Sequence, residues 1–141
     1  MNTLETARYG LNRATIILEE AHRLEERGVW NLAVRRCQES VELALKAILL
    51  WAGVEVPRVH DVGPVLRRHQ ARFAGPFREQ IPRLASISRS LRAEREISFY
   101  GDEQSGVPPE TLYTREDARD ALAKAHEVLD ACKALIASAE G

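Results

Sequence analysis

The hydrophobic residues of this chain recur with helical spacing almost from end to end. Over residues 4–21 apolar side chains alternate steps of three and four, which places them on one face of a long helix. Gly28 is positioned to end that helix, and a second helix over about 30–52 repeats the pattern. Its second half, 43–51, is apolar almost all round, so we expect this helix to lie at the centre of the molecule.

A short third helix is predicted after a break in the pattern. Gly53 ends the second helix, and Pro57 keeps the next residues extended. The Asp61 side chain can then accept hydrogen bonds from the free amides of a helix that runs to about Arg72. We therefore predict a helix cap at Asp61.

The fourth helix has one apolar face and loses its pattern near Tyr100. Gly75 and Pro76 separate it from the third helix, and Pro82 is predicted to lie in its first turn, where proline is tolerated. Its buried side is expected to consist of Phe77, Ile81, Leu84, Ile87 and Leu91.

The segment 101–113 is polar and contains glycine and proline, which predicts one long, mobile loop. Thr114 and Asp117 have the spacing of a capping box at the start of a last helix that reaches about Ser138. Its inward residues are predicted to be Ala118, Leu122, Ala125, Leu129, Cys132 and Ile136. No segment alternates with the period of two that strands show. Residues 1–141 are therefore predicted to form a single all-α domain, an up-and-down helical bundle of about five helices, four long and one short.

Composition narrows the classes of partner. The net charge is −1, so any basic site must be local. Of the 20 cationic residues 17 are arginine, which suits bidentate contacts with phosphate or carboxylate, although a GC-rich genome would give the same bias. Cys37 and Cys132 fall on apolar stripes, which indicates buried thiols and no disulfide. With no leader pattern and no long apolar run, we expect a cytoplasmic protein without a membrane span.

The cationic feature that ranks first is a series of arginines on the fourth helix. Arg89, Arg92 and Arg95 follow one another at steps of three and lead to Tyr100. They would form a short basic edge that holds phosphate groups, and an aromatic ring beside it would stack on a base. The alternative is that Arg92 and Arg95 pair with nearby carboxylates such as Glu96.

A polar stripe on the second helix also has two interpretations. Arg35 with Glu39, and Glu42 with Lys46, have the spacing of ion pairs within a helix. They form either a salt-bridge ladder or a polar groove that contacts a ligand.

Metal chemistry is not predicted. His60 and Asp61 invite comparison with metal-dependent phosphohydrolases, but the only earlier histidine is His22, and no cysteine or histidine has ligand spacing to another. The cap interpretation of Asp61 is preferred, and we predict no metal and no cofactor.

Two stretches of the sequence together resemble the HEPN family. The first stretch comprises Ala33, Gln38, Glu39, Glu42, Leu45, Lys46, Ala47 and Leu49, then Gly53, Pro57, His60, Asp61 and Leu66. The second comprises Tyr113, Thr114, Asp117, Ala118, Leu122 and Ala125. Their order and spacing span most of the chain.

The resemblance implies a function in RNA or nucleotide chemistry. Many HEPN proteins are RNases or toxins in which an arginine is followed four to six residues later by a histidine. The histidine moves the proton of the RNA 2′-OH while the arginine stabilises charge on the phosphate. Here Arg95 is followed after four residues by Tyr100, so the general base is missing at the expected catalytic position. Arg119 and His126 form an alternative catalytic pair, or are two partly exposed polar residues beside the seam.

The resemblance also implies partners. Small stand-alone HEPN proteins of this type pair with a minimal nucleotidyltransferase in toxin–antitoxin modules. We expect a homodimer whose cleft binds RNA or a nucleotide, with Tyr100 as a polar group of the cleft or as a hydroxyl that the partner modifies. The alternative is a non-catalytic dimeric interaction module for that partner. The apolar Trp30 and Trp51, near the two ends of the second helix, are expected at the dimer contact.

Overall fold

Long helices make up most of the fold, and short helices connect them. The computed structural model describes residues 3–56, 58 and 61–140. The helices are α1 (Thr3–Glu26), α2 (Trp30–Trp51), α3 (Val62–Arg68), α4 (Gly75–Arg92), α5 (Ile97–Tyr100), α6 (Pro109–Leu112) and α7 (Arg115–Glu140), with a 3-10 turn at Gln70–Arg72. The described residues contain no strand, so the predicted all-α class is confirmed. The short helices α5 and α6 were not predicted.

Contacts between the long helices show an up-and-down arrangement. As the chain advances along α1, its contacts move backwards along α2 and α7, and α4 and α7 are related in the same way. Each of these neighbours is therefore antiparallel. The contacts that show this are Ala14–Ser40 and Glu20–Arg36 between α1 and α2. Between α1 and α7 they are Arg8–Glu140 and His22–His126, and between α4 and α7 they are Arg83–Glu127 and Ser90–Lys124.

Helix α2 lies at the centre of the bundle, as predicted. It contacts all six other helices. Leu45, Ile48 and Leu49 on its apolar half are fully buried, and burying each such side chain stabilises the fold by roughly 1.5–3 kcal/mol. The residues predicted to face inward on α4 and α7 are all buried as well.

Both predicted helix caps are confirmed. Asp61 Oδ1 accepts hydrogen bonds from the Gly63 amide and from Ser88 Oγ, each at 3.0 Å, so the cap also ties α3 to α4. At the start of α7 the Asp117 amide donates to Thr114 Oγ1 at 3.2 Å, and the Thr114 amide donates to Asp117 Oδ2 at 2.9 Å. This reciprocal pair is a capping box.

The predicted position of Pro82 in the fourth helix is wrong. Helix α4 begins at Gly75 with Pro76 in its first turn, so Pro82 lies inside the helix. Pro76 already occupies the position that suits proline, and Pro82 lies on the exposed side of the helix. Its carbonyl accepts a hydrogen bond from Arg67 Nη2 at 3.2 Å.

The segment 101–113 contains more regular structure than the predicted loop. Asp102 and Val107 exchange backbone hydrogen bonds of 2.9 and 3.0 Å, and α6 follows. Gly101 has a φ of 76°, and a Cβ on it would lie 2.3 Å from the Val107 carbonyl oxygen. Only glycine fits this turn. The expected mobility of the segment stays a prediction.

The two cysteines are buried free thiols. Burial raises the pKa of Cys37 to about 12, and burial also raises the pKa of Cys132. Both thiols are therefore protonated and unreactive near neutral pH. Among the described residues no helix has the length and apolar character needed to cross a membrane.

Candidate functional site

The fourth helix ends earlier than predicted, and this ending shapes the candidate site. Helix α4 stops at Arg92, and the next amides bond three residues back: Glu94 to Leu91 at 3.0 Å and Arg95 to Arg92 at 3.2 Å. The chain then forms α5. Arg95 therefore lies in the turn between two helices, and the expectation that it shares one helix with Arg89 is wrong.

Three polar residues of α2 hold this turn. Arg35 Nη1 donates to the Arg95 carbonyl at 2.6 Å, and Asn31 Nδ2 donates to the Ser98 carbonyl at 3.1 Å. Arg95 Nη1 in turn donates to Gln38 Oε1 at 2.8 Å. Since Asn31, Arg35 and Gln38 are spaced by four and three residues, they share one face of α2. Both the backbone and the guanidinium group of Arg95 are thus positioned by the central helix.

Two aromatic side chains lie exposed beside this turn. Phe99 and Tyr100 on α5 are 50% and 59% exposed, and their ring centroids are 4.9 Å apart in an edge-to-face arrangement. The Arg35 guanidinium carbon lies 5.1 Å from the centroid of the Phe99 ring, which is a cation–π distance. We call the surface formed by Arg35, Arg95, Phe99 and Tyr100 the α5 surface.

The α5 surface carries positive charge that no carboxylate of the described residues pairs with. Within the described part of the chain neither Arg35 nor Arg95 forms an ion pair. The prediction that Arg35 pairs with Glu39 is wrong, because Arg36 takes that carboxylate at 3.0 Å. Two unpaired guanidinium groups beside exposed aromatic rings suit a planar, anionic ligand.

The other arginines of the predicted basic edge contribute less. Arg92 Nη1 lies 3.6 Å from Glu96 Oε1, so the pairing expected as an alternative is confirmed for Arg92. Arg89 is exposed on α4. A hollow of about 470 Å³ at this end of the bundle carries Glu94, Asp117 and Asp120, and none of the three arginines lines it.

The alternative catalytic residues on α7 are not brought together. Arg119 Nε lies 3.2 Å from Glu25 Oε1, while His126 Nε2 lies 2.6 Å from His22 Nε2. Each therefore contacts a different residue of α1. His69 caps the end of α3, and none of these three histidines bonds to Arg95.

The remaining polar residues act within the fold. Lys46 pairs with Glu42 at 3.3 Å, as the helical spacing predicted. Asp61 is used as a helix cap. His60 lies outside the described residues, and among those described no three His, Cys, Asp or Glu side chains are grouped to hold a metal ion.

Sequence reasoning missed the positioning roles of Asn31 and Gln38. Both are polar residues that are almost fully buried on α2, at 5% and 3% exposure. The available signal was their spacing with Arg35 on the most apolar helix of the chain, because buried polar groups need partners from other elements.

Comparison with known protein families identifies the family of this chain. A family model described as HEPN domain matches residues 7–135, which is most of its length. The chain belongs to the HEPN family. No curated protein and no solved structure matches it significantly. Membership supports a nucleotide- or RNA-related role in general.

In this HEPN domain the α5 surface coincides with the segment that carries Arg95 and Tyr100. The family match covers this turn together with most of the chain and does not single it out. The geometry of Arg35, Arg95 and the α5 rings makes the α5 surface the candidate site.

Proposed function

We propose that this HEPN protein binds RNA or a nucleotide at the α5 surface, in a cleft that a second copy completes. The observation that carries the proposal concerns Arg35 and Arg95: hydrogen bonds to the Arg95 carbonyl and to Gln38 fix their guanidinium groups, and neither forms an ion pair among the described residues. A phosphate group placed between them would gain charge-assisted hydrogen bonds without a large ordering cost, since both side chains are already fixed.

The aromatic residues supply the second half of such a ligand's recognition. Phe99 and Tyr100 are exposed, the Phe99 ring lies at a cation–π distance from Arg35, and a nucleobase stacks on such rings with little preference for sequence. Arg89 adds positive charge along the approach, while Arg92 contributes less because Glu96 opposes it. We therefore propose that the phosphate group of the ligand contacts Arg95 and that its base stacks on the aromatic rings of α5.

A toxin activity in a toxin–antitoxin pair is the biological role that we propose, on the family resemblance. If the protein cleaves RNA, the 2′-OH attacks the adjacent phosphate, its proton leaves to a base, and the 5′-oxygen departs, which gives a 2′,3′-cyclic phosphate. Arg95 would stabilise charge on the phosphate. Tyr100 is a weak base, so we expect slow cleavage or binding alone.

Binding is tested with the full chain and two probes, a single-stranded RNA of about 12 nucleotides and ATP. Arg95→Ala should weaken RNA binding roughly tenfold, the effect of losing one charge-assisted contact of about 1.4 kcal/mol. The turn should persist in this variant because Arg35 still bonds the backbone carbonyl of residue 95. The slope of log Kd against log salt concentration should fall by about 0.7.

The matched control is Arg78→Ala, which removes an exposed arginine of α4 that has no described ion pair. It should leave RNA binding within about twofold of the wild type, as expected for a charge remote from the site. Equal losses in the two variants, or none in Arg95→Ala, would refute the assignment of the α5 surface.

A second candidate function is a non-catalytic dimeric interaction module for a nucleotidyltransferase partner. It is favoured by one observation: position 100 is tyrosine, and no described histidine bonds to Arg95. Incubation with mixed RNAs separates the candidates. A nuclease leaves ends with cyclic phosphate, whereas an interaction module leaves every substrate intact.

A further inference from the structure

A groove separate from the α5 surface runs beside the turn after α4. It consists of two hollows of about 470 and 450 Å³ that share Ile97 and Leu112 as common walls. None of the four residues of the α5 surface lines either hollow. We call this feature the acidic groove, and it is independent of the proposed RNA-binding function.

The floor of the acidic groove is apolar and its shared walls are exposed. Val34, Leu91 and Ala121 are buried beneath the first hollow. Ile97 and Leu112, which separate the two hollows, are 45% and 38% exposed. These two side chains offer an apolar ridge on which a partner's aliphatic side chains would be shielded from water.

The rim of the groove is strongly acidic. Five carboxylates line the two hollows against one amine, Lys124, and that amine is already paired with Asp120 at 2.9 Å. The carboxylates belong to Glu94, Asp102, Glu103, Asp117 and Asp120. Such a rim repels RNA and attracts cationic side chains.

Some of the carboxylates are held in place by contacts that leave oxygens free. Glu94 accepts a hydrogen bond from the Tyr113 hydroxyl through Oε2 alone. Asp117 uses Oδ2 for the cap of α7. The other oxygen of each group makes no described hydrogen bond, so both can accept from a partner without disturbing the fold.

We propose that the acidic groove docks a cationic, amphipathic segment of a partner protein. Leucine-like side chains of that segment would lie against Ile97 and Leu112, and its lysines or arginines would face the carboxylate rim. Charge complementarity selects this occupant over a nucleic acid, and the apolar ridge selects it over a simple polycation.

The probe is a labelled synthetic helix of about 14 residues with leucines on one face and lysines beside them. Its binding to the full chain is measured by fluorescence anisotropy. The double variant Asp120→Asn, Glu103→Gln should weaken binding about fivefold, the sum of two exposed ion pairs. Ile97→Ser should weaken it about tenfold through lost apolar contact.

The matched control is Glu19→Gln, Glu79→Gln, which removes the same charge from α1 and α4 outside the groove. It should bind the peptide within about twofold of the wild type, because exposed charges at a distance are screened. A loss equal to that of the groove variant would show general attraction and overturn the proposal.

Two altered probes complete the test. A peptide with serine in place of each leucine should lose binding, and equal affinity would overturn the role of the apolar ridge. The second probe is a labelled RNA, measured against the Ile97→Ser variant. If Ile97→Ser weakens RNA binding as much as it weakens peptide binding, the choice of a protein partner is overturned. Helical circular dichroism of each variant confirms that it has folded.

Discussion

The imidazole rings of His22 and His126 meet between α1 and α7, with their Nε2 atoms 2.6 Å apart. Burial, and then the neighbouring His22, lower the pKa of His126 below its ordinary value of 6.5; Lys133 lowers it further and Asp130 opposes the change. A hydrogen bond between two Nε2 atoms requires one of them to be unprotonated. Protonating both rings therefore removes the bond and places two like charges together.

This pair makes stability depend on pH. Between its lowered folded pKa and 6.5, His126 binds a proton more readily in the unfolded chain than in the folded one. The free energy of unfolding should therefore rise with pH through that window and level off above it. The pair is solvent-screened, so the change should be less than about 1 kcal/mol. Urea unfolding at several pH values from 5 to 8, about the range in which histidine titrates, measures it.

Replacing either partner tests the cause. His126→Gln should flatten the dependence, whereas His22→Gln should reduce it only in part, because the burial of His126 remains. His69→Gln is the matched control because His69 shares no described bond with either ring. A pH profile that is unchanged in His126→Gln would contradict this account.

Residues whose partners lie within one helix were predictable. The pairs Glu42–Lys46 and Thr114–Asp117 follow from spacing alone, because a helix fixes which side chains are neighbours. The partner of Arg35 was not predictable. Its spacing suited Glu39, but the turn between α4 and α5 packs against α2 and offers the Arg95 carbonyl instead.

At the scale of elements, the end of α4 shows where local patterns stop being sufficient. Residues 93–96 are good helix formers, so the sequence predicted a helix running to Tyr100. In the fold the Arg95 carbonyl accepts from Arg35 and from the Ser98 hydroxyl, while the Phe99 amide bonds to Glu96. Contacts from α2 thus replace the helical bond, and tertiary structure overrides propensity.

The contribution to stability of the hydrogen bonds from α2 to the segment after α4 can be measured at Asn31. In Asn31→Ala the buried Ser98 carbonyl loses its partner, and the free energy of unfolding should fall by about 1–3 kcal/mol. Since α5 carries Phe99 and Tyr100, amide exchange at residues 97–101 should also accelerate. Chemical denaturation and hydrogen exchange provide the two readouts.

The control for Asn31→Ala is Asn12→Ala, at an exposed position of α1 with no described hydrogen bond. It should change stability by less than about 0.5 kcal/mol. If Asn31→Ala were equally neutral, or if exchange at α5 stayed slow, the bond from α2 would not hold the turn.

At the scale of the whole molecule, dimerisation stays a prediction, and so does the part of Trp30 and Trp51 in its contact. Trp30 and Trp51 pack against the core of their own chain, and Arg115 lies over the Trp30 ring at 5.6 Å. The sequence alone does not show whether such a tryptophan packs against its own core or stays exposed for a partner. The exposed aromatic residues of α5 are better placed for a contact between copies.

A symmetric dimer through the α5 surface would have a specific consequence. A two-fold axis sets a patch against its own copy, so Arg35 and Arg95 of the two chains would approach one another. Their repulsion opposes association, and a bound phosphate group relieves it. By linkage, RNA should tighten the dimer as much as dimerisation tightens RNA binding.

We therefore expect a dimer at micromolar concentration by light scattering, with a lower dimer dissociation constant when RNA is present. Tyr100→Asp should produce a monomer, because it places a charge in the contact. Tyr9→Asp is the matched control, since both tyrosines are 59% exposed and Tyr9 lies on α1. A monomeric wild type, or dissociation by Tyr9→Asp alone, would refute the contact. RNA binding that leaves the dimer dissociation constant unchanged would instead show that the RNA site and the dimer contact lie on different surfaces. Two sites that share guanidinium groups cannot be thermodynamically independent.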